Sequence, residues 1–241
     1  MKILIIRHAE PYYPTDTLTM HGRLEAEELA KMVSKWDVNH FYSSPLGRAK
    51  LTCQYTLDKV GKTAEIKDWL REFSPKIKKP HPGVPVVWDW RPSAWVDHDD
   101  FYSAEHWTDH PIMLAGKVRE EYDWVCTEFD KLLAKHGYVR EGRYYKAVRP
   151  NHDTIALYCH FGVECVLLSH LMNCSPMILW HGLCAAPSSV TKIYTEEREE
   201  GIASFRAARF GDISHLYAAG LEPVFAARYC ETYHTPGQRR D

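Results

Sequence analysis

The sequence predicts an α/β fold: a three-layer sandwich with a mostly parallel central sheet, helices on both faces and an inserted cap. Three observations carry that prediction. Apolar strand-like runs at residues 2–6, 38–42, 64–69 and 154–159 alternate with segments of helical periodicity. Two of those runs end on a histidine, at Arg7-His8 and at His160, and ligand crevices of α/β proteins form outside the carboxyl ends of the strands. Residues 73–115 interrupt the alternation with many prolines, four of the eight tryptophans (Trp88, Trp90, Trp95, Trp107) and four histidines. That stretch is too aromatic for a disordered linker and too long for an ordinary loop, so it reads as a cap over the strand rim.

Each element has its own signal. After the first strand comes a loop rich in proline and tyrosine, residues 10–18. Thr19 is an N-cap candidate, and Leu24, Ala26, Leu29, Ala30, Met32 and Val33 line one face of the helix behind it. The second strand leads to Ser44-Pro45, read as N-cap and first helical position. Beyond the cap, Val118, Tyr122, Val125, Phe129, Leu132 and Leu133 recur at helical spacing, and Gly137 suits the residue past the helix end. The strand ending at His160 is followed by a helix over 163–172. Residues 190–195 and 202–209 read as a late antiparallel pair, and the polar tail 231–241 is expected to fray. The whole is expected to be one α/β domain, 1–241, carrying the cap insertion at about 73–115.

Composition narrows the function classes. With 241 residues the chain can bury a large core, and 30 basic against 32 acidic residues give no electrostatic case for nucleic acid or an anionic membrane. No apolar run approaches the roughly 20 residues needed to span a bilayer. The N-terminus reads as a strand without a basic start or cleavage site, so no secretion signal is expected. Seven cysteines, an odd number without a CxxC pair, fit reduced thiols, and the expected location is the cytoplasm.

Chemistry concentrates at four points: Arg7-His8 after the first strand, Ser43-Ser44-Pro45-Leu46-Gly47-Arg48-Ala49 at a helix start, Leu70-Arg71-Glu72 after the third strand, and His160-Phe161-Gly162 between a strand and a helix. Leu18-Thr19-Met20-His21-Gly22, Ser189-Val190-Thr191-Lys192-Ile193 and Gly211-Asp212-Ile213-Ser214-His215-Leu216 add to the pattern. In this order the pieces resemble the histidine phosphatase superfamily, the phosphoglycerate mutase-like enzymes, over nearly all of the chain except the cap. The resemblance implies a phosphatase that hydrolyses a phosphomonoester of a small molecule through a phosphohistidine on His8, without cofactor or metal. Arg7, His8, Arg48 and His160 would bind phosphate, and His8, Glu72 and His160 would be catalytic. Glu72 would protonate the leaving group, with Glu10 and Asp16 as alternatives. Expected partners are a phosphorylated small molecule and its product, inorganic phosphate, with neither nucleic acid nor membrane; the oligomeric state, a homodimer included, stays open.

Ordinary physical chemistry agrees with this reading. A histidine nucleophile must be neutral, which most imidazole already is near pH 7. Charge on the transferring phosphoryl oxygens calls for guanidinium forks and free N–H groups, such as those expected at the helix start beside Arg48. Arg7 and His8 can share a ligand only if the chain leaves the strand there, because successive strand residues face opposite ways; Pro11 and Pro14 favour such a departure.

The chain also departs from the family pattern. Ala9, Pro11 and Pro14 stand where relatives carry Gly, Thr or Ser, and Asn, so phosphate or substrate contacts are lost. Leu70-Arg71-Glu72-Phe73-Ser74 replaces the Asn-Glu-Arg-His run of the mutases. These losses favour hydrolysis over the alternative, mutase-type transfer; an inactive phosphate- or partner-binding protein is the non-enzyme alternative. Phe161 separates the second histidine from Gly162 and is expected to wall the pocket. His98, Asp99, Asp100, His106 and His110 match no strong zinc spacing. The cap tryptophans are expected to pack rather than bind, and Lys76, Lys78 and Lys79 to form a solvated turn.

Overall fold

The computed structural model describes residues 1–224 and 232–234; the expected frayed tail, 231–241, lies outside the described residues apart from 232–234. The strand β1 (Lys2–Arg7) opens the chain. A two-residue ladder follows, β2 (Pro11–Tyr12) against β3 (Thr17–Leu18). Next come α1 (Met20–Val33), β4 (His40–Ser43), α2 (Gly47–Val60) and β5 (Ala64–Ile66). The cap segment holds 3-10 turns at Pro92–Ala94 and Asp99–Tyr102 and the short α3 (Pro111–Ala115). After α4 (Val118–Lys135) a hairpin forms from β6 (Tyr138–Glu141) and β7 (Tyr144–Ala147). The remainder is β8 (Thr154–Cys159), α5 (Phe161–Met172), α6 (Pro176–Gly182), β9 (Val190–Glu199), β10 (Ile202–Asp212) and α7 (Ser214–Ala218).

Eight strands form one sheet in the order β5-β4-β8-β1-β9-β10-β7-β6. From β5 to β1 the neighbours pair parallel; from β1 to β6 they pair antiparallel. The late strand β8 therefore slots between β1 and β4, the first two strands of the main sheet along the chain. All six of its residues are buried, as suits a strand covered on both faces. Alternation along β1 divides the core: Ile3 and Ile5 face α4, α5 and the cap aromatics, whereas Leu4 and Ile6 face Leu29 and Val33 of α1 and Cys53 and Leu57 of α2. Helices thus cover both faces. α5 is buried almost all round because it is apolar all round.

Several expectations meet small corrections. Thr19 does cap α1, accepting from the Gly22 N–H at 2.9 Å. Ser44-Pro45 does not open α2, whose N-cap is Leu46. Ser44 still donates its N–H to Tyr158 of β8 at 2.8 Å, so the sheet holds the chain two residues longer than the proline suggests. The third strand stops at Ile66 and closes in a 3-10 turn, Asp68–Leu70. The β6–β7 hairpin was not anticipated; Glu141-Gly142-Arg143 between two tyrosine-rich pairs was its signal. Phe73, Ile77, Val87, Trp90, Phe101, Trp107 and Met113 of the cap stretch are buried in the same cluster as β1 and α5.

Among the described residues no helix is long and apolar enough to cross a membrane. Cys53, Cys126, Cys159 and Cys165 are buried free thiols, and burial pushes each of them up in pKa. They serve as small hydrophobes.

Truncating the sheet's central strand tests the layer assignment. Ile5→Ala, at a fully buried position, is expected to cost about 2–5 kcal/mol of unfolding free energy in a urea titration; a loss below about 1 kcal/mol would place Ile5 outside the core.

Candidate active site

Strand register assembles the site. β1 and β8 run parallel with Arg7 opposite Cys159, and β4 runs beside β8 with Ser43 opposite Tyr158. The next residue of each strand, His8, His160 and Ser44, therefore arrives at one carboxyl edge. Backbone bonds hold them there: His8 N–H donates to Cys159 O at 3.0 Å, and Ser188 N–H donates to His8 O at 3.1 Å.

The two imidazole rings lie 5.0 Å apart between centroids, with His8 2% and His160 0% exposed. The Nδ1–H of His8 donates to its neighbour's carbonyl, Ala9 O, at 2.8 Å, which leaves the lone pair on Nε2. His160 Nε2 is 2.8 Å from Ser44 Oγ, which accepts the Leu46 N–H at 3.2 Å. His160 Nδ1, Arg7 Nε and Arg48 Nε are buried without a hydrogen-bond partner. Burial, reinforced by the Arg7 and Arg48 charges, holds His8 well below the usual imidazole range. Burial, then His8 and the same two guanidinium groups, does likewise for His160. Both rings are neutral at pH 7.

Each arginine is braced. Arg7 donates through Nη1 to Ala185 O and lies 5.8 Å from the centroid of the Phe161 ring. Arg48 pairs with Asp16 at 2.5 Å and lies 5.5 Å from the centroid of the Tyr13 ring. The other Asp16 carboxylate oxygen accepts the Gly47 N–H at 2.6 Å. A side chain at 47 would put its Cβ 2.2 Å from Asp16 O, so only glycine lets the loop press on the helix start. The free N–H groups expected beside Arg48 are thus partly spent on Ser44 and Asp16.

Glu72 comes to the same place from the other side. One carboxylate oxygen accepts the N–H groups of Phe73 at 2.9 Å and of Val163, in the first turn of α5, at 3.2 Å. Burial pushes its pKa up, opposed by those two N–H bonds and by the Arg7 and Arg48 charges. Gly162 makes room for it: a Cβ there would meet Glu72 Oε1 and the Trp88 ring at 2.6 Å. All five expected residues, Arg7, His8, Arg48, Glu72 and His160, are therefore neighbours. Glu10 and Asp16 are otherwise engaged. Glu10 accepts from Thr19 Oγ1 at 2.5 Å, and Asp16 anchors Arg48.

Supporting residues went unread in the sequence. Ser188 joins His8 O to the buried His215, whose Nε2 is 3.0 Å from Ser188 Oγ. The buried Glu164 accepts from Thr191 Oγ1 at 2.5 Å, and burial raises its pKa to about 7. Both Thr191 and His215 stand in the late sequence motifs, which was the available signal. In the cap, Lys79 is buried rather than solvated, donating to Trp88 O at 2.9 Å and Asp89 O at 2.8 Å, while Lys76 and Lys78 are exposed. Of the cap histidines, His98 and His110 lie 5.0 Å apart between ring centroids, both against Phe101. His110 stacks on Phe101 at 4.7 Å, and His106 pairs with Asp109 at 2.8 Å. Trp107 packs edge-on against Trp180 at 5.6 Å.

With this geometry in hand, comparison with known proteins is specific. Residues 3–110 match the histidine phosphatase superfamily (branch 1). Over that stretch, somewhat less than half of the chain, the sequence is similar to the superfamily. Phosphoserine phosphatase from Entamoeba histolytica, solved with 3-phosphoglyceric acid, superposes with a TM-score of 0.58 at 19% identity, over 89% of this chain and 98% of that one. The mycobacterial glucosyl-3-phosphoglycerate phosphatase gives a TM-score of 0.53 at 15% identity, over 87% and 98%. Bacillus stearothermophilus YhfR gives 0.54 at 20%, over 89% and 98%. At such identities the likeness is one of fold. No curated protein matches the sequence. The superfamily match ends inside the cap segment, so Glu72 falls within it and His160 beyond it.

Gly162→Ala is expected to keep the fold, with the melting temperature within a few degrees of wild type, while displacing the Glu72 carboxyl or Trp88. Phosphomonoesterase turnover should fall about tenfold or more, since misplacing a reacting group by 1 Å costs on the order of 100-fold. Unchanged turnover would show that this contact is not needed.

Proposed function

We propose that this protein is a metal-independent phosphomonoesterase that hydrolyses a small-molecule phosphate ester through a phosphohistidine on His8. The observation that carries the reading is the paired, neutral imidazoles of His8 and His160 at 5.0 Å, set between two guanidinium groups at the carboxyl edge of the sheet. His8 Nε2 has its lone pair free because Nδ1–H is committed to Ala9 O. It would attack phosphorus as the P–O ester bond breaks. The partnerless N–H groups of Arg7 and Arg48 supply positive charge to the three equatorial oxygens, a task that otherwise falls to a metal. If Ser44 gives its hydroxyl proton to His160 Nε2, the His160 proton sits on Nδ1 and adds a third donor.

The leaving alkoxide needs a proton, and Glu72 is the group suited to give it. One of its oxygens is held by two N–H groups, so its proton resides on the other. In the second step water attacks phosphorus, Glu72 takes the water proton, and the N–P bond breaks to release inorganic phosphate and restore His8. Substrate entry involves displacement of the residues that cover the nearly inaccessible imidazoles. Hydrolysis is favoured over mutase transfer because Ala9, Pro11 and Pro14 offer no side-chain hydrogen bond to retain and turn an intermediate. The substrate class is a small phosphomonoester, in line with the compounds named for the phosphoserine and glucosyl-3-phosphoglycerate phosphatases of the same fold. The cytoplasm is its expected place of action.

Acid-quench of the protein with a labelled phosphoester should trap label on wild type and none on His8→Ala, in the presence of chelator as in its absence. Label retained by His8→Ala would overturn the assignment. The pH profile of kcat/KM tests the acid. Because the Glu72 pKa is raised, the protonated, active form is lost as pH rises through it, so activity should decline on that limb. In Glu72→Gln the limb should disappear and turnover fall by about 100-fold or more; a wild-type profile in that variant would move the role elsewhere.

A further inference from the structure

The opposite end of the same strands carries a second cluster of ligating side chains. His40 opens β4, Asp153 immediately precedes β8, and His136 caps the end of α4. One ligand atom from each, two ring nitrogens and a carboxylate oxygen, lies within 4.8 Å of the others. The imidazole rings of His40 and His136 are 5.0 Å apart. This cluster belongs to neither the phosphate chemistry nor any motif read in the sequence.

The scaffold under these three residues is rigid. Asn39 N–H donates to Thr154 O at 2.8 Å, and Thr154 N–H returns a bond to Asn39 Oδ1 at 2.8 Å. Asp153 accepts Lys2 N–H at 2.7 Å and donates its own N–H to Asn151 Oδ1 at 3.0 Å. Asn151 in turn donates to His136 O at 2.8 Å. His136 is 3% exposed, and its Nε2 lies 2.8 Å from the Tyr42 hydroxyl. A ring that donates Nε2–H to such a partner has its Nδ1 lone pair left for a ligand, the outer arrangement that metal-bound histidines use. Nearby cations are engaged: Lys135 pairs with Glu65 at 3.2 Å, and Arg149 donates to Lys135 O at 2.9 Å.

We propose that His40, His136 and Asp153 form a divalent transition-metal site, suited to zinc, that clips the end of α4 to the amino ends of β4 and β8. Two imidazoles and one carboxylate are a common zinc donor set, with water completing a tetrahedron. Tetrahedral zinc holds its ligand atoms about 3.4 Å apart, so the cluster needs only a modest closure, which the exposed His40 side chain can make. The His40 side chain also lines a surface hollow of about 420 Å³, together with Tyr42, Glu65 and Lys135 among others. The six residues of β8 separate this site from His160 by about 20 Å at roughly 3.3 Å per residue. The ion would therefore act on the scaffold rather than on phosphoester chemistry, and the proposal stands apart from the phosphatase reading.

Protein free of any histidine tag and stripped with chelator should bind one zinc ion per chain in a calorimetric titration. A hundredfold excess over Kd should raise the melting temperature by about 5–10 °C. His40→Ala, an exposed position that the fold does not need, should weaken binding by about tenfold or more and abolish the shift, with phosphoester turnover unchanged. Asp153→Asn should weaken binding similarly. No uptake by the wild type at about 100 µM zinc, or uptake by both variants equal to wild type, would overturn the site.

Discussion

The parallel register of β8 against both β1 and β4 is the constraint on which the rest depends. Register in a two-sided buried sheet is strict, because a one-residue slip would turn every core side chain to the wrong layer. Ile3 and Ile5 must stay with Ile155 and Leu157 on the α5 side, and Leu4 and Ile6 with Ala156 and Tyr158 on the other. The same requirement stops three strands at one edge. Packing of apolar residues thus sets where His8, Ser44 and His160 end up, and no polar contact between them is needed to bring them together.

Electrostatics then decides what the assembled residues are. Two imidazoles buried beside two guanidinium groups cannot readily take up a proton, so the field that would attract a phosphate also preserves the neutral ring. Asp16 provides counter-charge to Arg48, while burial beside the same arginines pushes the Glu72 pKa up. Asp16 is spent on Arg48 and the start of α2, and Glu72 is steadied by the start of α5. Two carboxylates near the same arginines accordingly occupy different positions and serve different ends. Glu164, buried behind them on α5, is a third acid kept close to neutral by its surroundings.

The cap is joined to this arrangement through aromatic packing and through a hydrogen bond from Trp90 N–H to His181 of α6 at 3.0 Å. Trp88 reaches Gly162, while Phe73 and Trp107 pack against Trp180 of α6. Lys79, which a sequence reading would leave in solvent, ties the backbone of Trp88 and Asp89 in place. Because the cap contacts the helix that follows His160, the placements of the cap and of that helix are coupled.

The sequence by itself determined the α/β class, the long helix ending near Gly137 and the Thr19 cap, because these rest on periodicity and local capping, and by resemblance it put forward the five residues that the structure brings together. Its motif order also carried the superfamily resemblance. Only the tertiary structure decided that β8 lies between β1 and β4, that Ser44 serves His160 instead of capping α2, that Asp16 is a brace for Arg48, and that Lys79 is buried. It also brought together His40, His136 and Asp153, which span more than a hundred residues of chain. The physical reason is common to all of these: each depends on which distant segment supplies the partner, and that is settled by the packing of the whole core, which no local stretch of sequence encodes.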